Sequence, residues 1–158
     1  MTAEDFIDPL QDFEPKTYAD NIQAALAEQD VMSIQHAPFA TISHEQSVEE
    51  GVRQLAEMNV GCLLVVDDGK LVGVFSDRDV LDKASLEYDD VKDKPVSEVM
   101  TPNPVYVYET DAAASALCVM AVNRHRHVPI LDLNENVVGI IGPYRVTSFL
   151  MEKHAQSG

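Results

Sequence analysis

The chain is expected to fold as an α/β (α+β) protein: two pseudo-symmetric β-α-β-β-α repeats packed sheet to sheet, preceded by an N-terminal helical extension. The first observation behind this is a repeat. Val31, Ile34, Ala40, Ile42, Leu55 and Met58 correspond to Val96, Val99, Val105, Val107, Met120 and Asn123 at an offset of about 65 residues. One extra residue near Asn134 shifts the offset to about 66, so that Gly73 falls on Gly139. The second is alternation within each copy, where short apolar runs bounded by turn residues flank an amphipathic helical stripe. The third is size: neither half of the 158 residues carries enough apolar area alone, so one half must bury its sheet on the other.

The elements follow in order. Residues 1–16 are acidic, contain Pro9 and Pro15, and show no period, which reads as a flexible or loosely docked tail. Asp20 is placed to cap a helix whose stripe is Tyr18, Ile22, Ala25, Leu26 and Gln29. In the first repeat a short strand covers Phe39 to Ile42. Ser47 caps the next helix, with Val48, Val52, Leu55 and Met58 facing inward and Glu49, Glu50, Arg53 and Glu57 outward. Leu63 to Val66 is wholly apolar, as a strand buried on both faces requires. Asp67-Asp68-Gly69-Lys70 is a hairpin turn, Leu71 to Phe75 returns, and a helix opens near Asp77 and runs toward Ala84.

Asp82 to Pro95 is charged and punctuated and reads as a connection. The second repeat has strands at Val105 to Val107, His127 to Leu131 and Val137 to Ile141. Its helices cover Ala112 to Val122 and Val146 to His154. The expected divisions are 1–30 (tail and helix), 31–85 (first repeat), 86–95 (linker), 96–153 (second repeat) and 154–158 (C-terminal tail).

Composition removes some functions. A net charge of -16 opposes general binding to nucleic acid or to anionic membrane. The longest apolar run, Cys62 to Val66 after Val60 and Gly61, is too short to span a bilayer. Cys62 and Cys118 lie in apolar runs without CxxC spacing, and the N-terminus has no secretory h-region, so a cytoplasmic protein with reduced thiols is expected. No nucleophile has an obvious base beside it and no Gly-rich phosphate loop precedes a Lys, so no enzymatic activity, catalytic residue or metal site is expected.

The copies differ where chemistry would sit. The first reads Gly73-Val74-Phe75-Ser76-Asp77-Arg78-Asp79, and the second reads Gly139-Ile140-Ile141-Gly142-Pro143-Tyr144-Arg145. Ser76 and Asp79 lie on the same side of a first helical turn. There a carboxylate can accept both hydroxyls of a ribose, and the same spacing also makes a capping box. Arg124-His125-Arg126-His127 is the densest positive run in an acidic chain. It suits a phosphate tail or the end of a helix, and its imidazoles would titrate near neutrality.

Residues 31 to 151 resemble a tandem pair of cystathionine-β-synthase (CBS) domains. The resemblance rests on Val-x-x-Ile/Val before each first strand (Val31 to Ile34, Val96 to Val99) and on Met100-Thr101-Pro102. It rests equally on the strands opening at Gly61-Cys62-Leu63 and Arg126-His127-Val128-Pro129, and on the Val-Gly return strands. The family implies a cleft between the copies for an adenosyl ligand. Carried over, Ser76 and Asp79 would hold the ribose, Val99, Met100, Val128 and Pro129 would line the base pocket, and Arg126, His127 and Arg78 would meet phosphate.

The function expected is a stand-alone regulatory module binding AMP, ADP or ATP in one cleft, with no tightly bound cofactor. It would signal through the shape of a homodimer to an unidentified regulated protein. The apolar faces at Leu117 to Met120 and Val146 to Met151 suit such a dimer. A ligand-free interaction scaffold and an S-adenosylmethionine-binding module are the alternatives. Gly142 and Arg145 leave the second cleft empty or open to a different anion, unless Arg145 reaches across to the phosphates of the first ligand.

Overall fold

The computed structural model describes residues 14–156; the acidic segment before residue 14 lies outside them. Helix α1 (Asn21–Glu28) starts at Asp20, whose carboxylate accepts the Gln23 N–H at 2.8 Å, as its side chain chemistry suggests. In the first copy, β1 (Thr41–Ser43) leads into α2 (Val48–Met58), then β2 (Cys62–Asp67) and β3 (Lys70–Ser76). Ser47 and Glu50 form a reciprocal capping box on α2. The β2–β3 turn holds Asp68 and Gly69 at φ 48° and 79°, the paired positive angles of a type I′ hairpin. Helix α3 (Asp77–Asp79) continues into one π-helical turn (Val80–Ala84).

After α4 (Tyr88–Val91) the second copy comprises β4 (Thr101–Pro102), β5 (Val107–Tyr108), α5 (Ala113–Asn123), β6 (Val128–Leu131), β7 (Val137–Ile141) and α6 (Pro143–Ala155). Two sheets result, ordered β1-β2-β3-β4 and β5-β6-β7. In each, the strand before the helix runs parallel to the strand after it, and the return strand is antiparallel. Both antiparallel pairs slip register at equivalent places, Val65/Val66 and Ile130/Leu131. The irregularity is therefore inherited with the repeat.

Each copy begins inside the other. β4 precedes the second copy's own strands yet pairs with β3 of the first, with Gly73 opposite Pro102. Correspondingly, the His36 carbonyl accepts the Ile140 N–H of β7 at 3.0 Å. The Val96 N–H bonds to the Gln46 carbonyl at 2.7 Å, and the Val31 N–H bonds to the Asp111 carbonyl at 2.8 Å. Val96 and Val99 consequently sit in one core with Phe75, Leu63 and Val48, while Val31 and Ile34 sit in the other with Ile130, Ile141 and Val128. A third cluster of Cys62, Leu64 and Ile140, with Phe39, Leu71, Val74 and Val137, is the sheet-to-sheet contact. Burial of these side chains across the copies is what makes two small halves one stable unit.

Several boundaries differ from the sequence expectation. Phe39 and Ala40 lie before β1, and Val105 lies before β5 and is 39 % exposed. Ala40 nonetheless belongs to its own copy, where its carbonyl accepts the Leu64 N–H of β2 at 2.9 Å. Met58, expected to face inward, is 48 % exposed because it falls in the last turn before Asn59 ends α2 in the left-handed region. The 82–95 connection contains α4, and α6 begins at Pro143, where a first-turn proline loses no helical bond. Among the described residues no helix is long and apolar enough to cross a membrane.

Candidate ligand-binding site

Two clefts open along the junction of the copies, and pseudo-symmetry relates them. The first, about 420 Å³, is walled by the β3–α3 junction of the first copy and by residues 123–127 of the second. Ser76 is the N-cap of α3 because β3 ends on it in extended conformation, leaving its hydroxyl beside the first helical N–H groups. Asp79 is only 5 % exposed. Its Oδ2 accepts the Ser76 N–H at 2.9 Å and the Ser76 hydroxyl at 2.8 Å. Its Oδ1 accepts the Lys83 ammonium at 2.9 Å and the Thr101 hydroxyl at 2.8 Å. All four acceptor positions of the carboxylate are thereby occupied. Burial opposes its charge, but the bonds from Lys83, Thr101 and Ser76 outweigh burial and hold its pKa below the ordinary carboxylate value.

Lys83 has two further partners, the carbonyls of Val99 at 2.8 Å and Met100 at 3.2 Å. It therefore ties α3 and its π turn to the segment that the second copy contributes. Gly73 is needed at the same junction: a Cβ there would run into the Met100 side chain.

The opposite wall carries the charge. Arg124 ends α5 in the left-handed region, at φ 55°, which turns the following residues across the cleft mouth. Arg124 and Arg126 are exposed and have no ion-pair partner among the described residues, whereas Arg78 is paired with Asp82 at 3.3 Å. His127 lines both clefts. Burial lowers its pKa, Asp77 opposes that shift, and Arg126 and Arg145 add to it. Cys62, also shared by both clefts, has its thiol pushed up to about 12 by burial and by the charges of Asp79 and Asp77.

The second cleft, about 350 Å³, is lined by Phe39, Ala40, Val60, Ile140, Gly142, Tyr144 and Arg145, among others. Arg145 occupies the position of Asp79. Its guanidinium donates to the Ile140 carbonyl at 2.8 Å and to the Pro38 carbonyl at 2.6 Å. It is thus spent on backbone, and burial lowers its pKa. Here too a cation ties a helix to the segment received from the other copy.

Of the residues singled out from sequence, Ser76, Arg78, Asp79, Arg126 and His127 come together in the first cleft. Val99, Met100, Val128 and Pro129 are not on its wall: Val99 and Val128 belong to the two cores, Pro129 is buried in β6, and Met100 packs over Gly73. Lys83, Thr101 and Asp77 were not among the candidates, yet they line it. Lys83 stands one helical turn beyond Asp79, a spacing that signals a pair, although the segment reads as a charged connection.

The interleaved repeats and the polar cleft between them define a tandem-repeat, ligand-binding class of α/β module. The family model for the CBS domain matches residues 29–85 and 96–152, and the chain belongs to the CBS domain family. It is 35 % identical over 102 residues to the CBS domain-containing protein YhcV of Bacillus subtilis, covering 65 % of this chain and 71 % of that protein. The CBS domain-containing protein CBSCBSPB5 of Arabidopsis thaliana is 32 % identical over 102 residues, and the match spans 64 % of this chain but 18 % of the plant protein. Among solved structures, a CBS domain pair in complex with 5′-methylthioadenosine and S-adenosyl-L-methionine matches with a TM-score of 0.68 and 28 % identity, over 79 % of this chain and 98 % of that one. CBSX2 in complex with AMP matches with a TM-score of 0.67 and 25 % identity, over 78 % of this chain and 96 % of that one.

Proposed function

We propose that this chain is a non-enzymatic regulatory module that binds an adenine nucleotide (AMP, ADP or ATP) in its first cleft and signals through the shape of a homodimer. The observation that carries this reading is the single cleft holding Ser76 and Asp79 on one wall and the unpaired Arg124 and Arg126 on the other. The first side offers a ribose the Asp79 carboxylate once one of its present donors gives way, and the second offers a phosphate cations. The relative solved with AMP supports this ligand class. The relative solved with 5′-methylthioadenosine and S-adenosyl-L-methionine supports a second reading, an uncharged or cationic adenosyl ligand in the same ribose grip.

Binding would change function only by favouring one dimer shape over another, by as much as the ligand's affinities for the two differ. Helix α5 supports dimer formation: its sequence Ala113 to Asn123 has no charged residue on any face, and Cys118, Ala121 and Val122 are exposed. A helix apolar all round is stable only when covered. Both cysteines are free thiols, which suits a reducing cytoplasm.

Thermal shift and calorimetry with AMP, ADP, ATP, NAD and S-adenosylmethionine test the reading. Nucleotides should raise the melting midpoint in proportion to RT ln(1 + [L]/Kd). A shift with S-adenosylmethionine alone would select the second reading, and no shift with any compound would leave a ligand-free scaffold whose Ser76–Asp79 pair is only a helix cap.

A further inference from the structure

An acceptor already filled cannot greet a ribose without losing a partner. Of the donors on Asp79, the Ser76 N–H and hydroxyl form the cap of α3, and Thr101 sits in the short strand β4 paired to β3. Lys83 is the donor that can move, because its stem is flexible and its side chain is 44 % exposed. It also lines the same cleft as Arg124 and Arg126.

We propose that Lys83 sets the ligand class of the first cleft by exchanging partners: a ribose hydroxyl takes its place on Asp79, and the released ammonium takes a phosphate of the ligand. This deepens the adenine-nucleotide reading and rests on it. The bonds from Lys83 to the Val99 and Met100 carbonyls use two of its three donors, so the third loses its carboxylate when a ribose enters. A phosphate restores an anionic partner. An uncharged nucleoside restores nothing, and a sulfonium adds a second cation beside the ammonium. The cleft therefore favours phosphorylated adenosines. Because the same ammonium holds the segment that the second copy lends to the first, ligand occupancy is also felt at the junction of the copies.

The test compares AMP with adenosine on wild type, Lys83→Met and Lys83→Gln by calorimetry. Wild type should prefer AMP. In both variants adenosine should bind as tightly as before or tighter, since the competitor for Asp79 is gone, while AMP weakens and the AMP-to-adenosine ratio falls about tenfold. Equal losses for both compounds, or an unchanged ratio, would overturn the exchange while leaving the cleft assignment standing. Wild type binding neither compound would overturn both. Should neither variant retain a cooperative melting transition, acetylation of wild-type Lys83 by acetic anhydride, read by mass spectrometry, decides the matter. AMP should protect the amine and adenosine should not; equal protection by the two would contradict the exchange.

Discussion

The two clefts share a backbone and differ in the side chains at the turn from strand to helix, Ser76-Asp77-Arg78-Asp79 in one and Gly142-Pro143-Tyr144-Arg145 in the other. At position 79 a carboxylate needs Lys83 to reach the carbonyls of Val99 and Met100, whereas at position 145 a guanidinium reaches the carbonyls of Ile140 and Pro38 unaided. Both arrangements accomplish the same structural task, the fastening of a borrowed segment to the host copy. They leave different residues of chemistry behind. The first cleft keeps an anion held by hydroxyl and ammonium donors, and the second keeps a cation whose donors are committed to backbone. Duplication has supplied two equivalent places, and substitutions at the turn, with the reversal of charge from Asp79 to Arg145 foremost, have made them chemically unlike.

Loss of Asp79 should do the most damage to the first cleft. Asp79→Ala should abolish nucleotide binding and cost about 2–3 kcal/mol of stability by urea titration. A fully buried pair costs about 3–5 kcal/mol when one partner is removed, and here the ammonium retains contact with solvent. The glycine pair comes next. Gly139→Ala meets the His36 Cβ at 2.8 Å and the His36 carbonyl at 3.1 Å, whereas Gly73→Ala meets only the flexible Met100 side chain. Gly139→Ala should therefore be the more damaging, by about 1 kcal/mol or more on the scale of overpacked sites. Equal losses in the two variants would mean that the borrowed segments are not held in the way described.

Cysteine labelling separates buried from exposed thiols. Cys62, with its thiol pushed up to about 12, should resist iodoacetamide at pH 8 in the folded protein and react readily once urea has unfolded it. Comparable labelling rates in the two states would place Cys62 outside the junction of the copies. The smallest effect concerns His127. Burial holds its folded-state pKa below the 6.5 of the unfolded chain, so below that pH the unfolded state binds more protons and stability falls. His127→Gln should flatten the pH dependence of stability just below 6.5, with little change at pH 8; an unchanged slope would mean the imidazole is not protected from water.

Much of this was legible in the sequence. The repeat, the Asp68-Gly69 hairpin, the Ser47 cap and the apolar run Leu63 to Val66 within β2 are local patterns, and local patterns survive folding when the hydrophobic period agrees with them. The exchange of leading segments was not legible, because Val31 and Val96 stand next in sequence to the repeats they begin and nothing in their spacing tells which sheet they cover. Helix α4 escaped because four residues are too few to show a period. At the site, Ser76 and Asp79 were found by their spacing. Lys83 and Thr101 were missed because their importance lies in where folding carries them: Thr101 comes from 22 residues away to share the Asp79 carboxylate.

Equilibrium dialysis of wild-type protein against labelled AMP, beside Asp79→Ala and Arg145→Ala, tests the asymmetry most directly. One AMP per chain is expected, absent from Asp79→Ala and retained by Arg145→Ala. Two equivalents per chain, or one that survives loss of Asp79 but not of Arg145, would contradict the account.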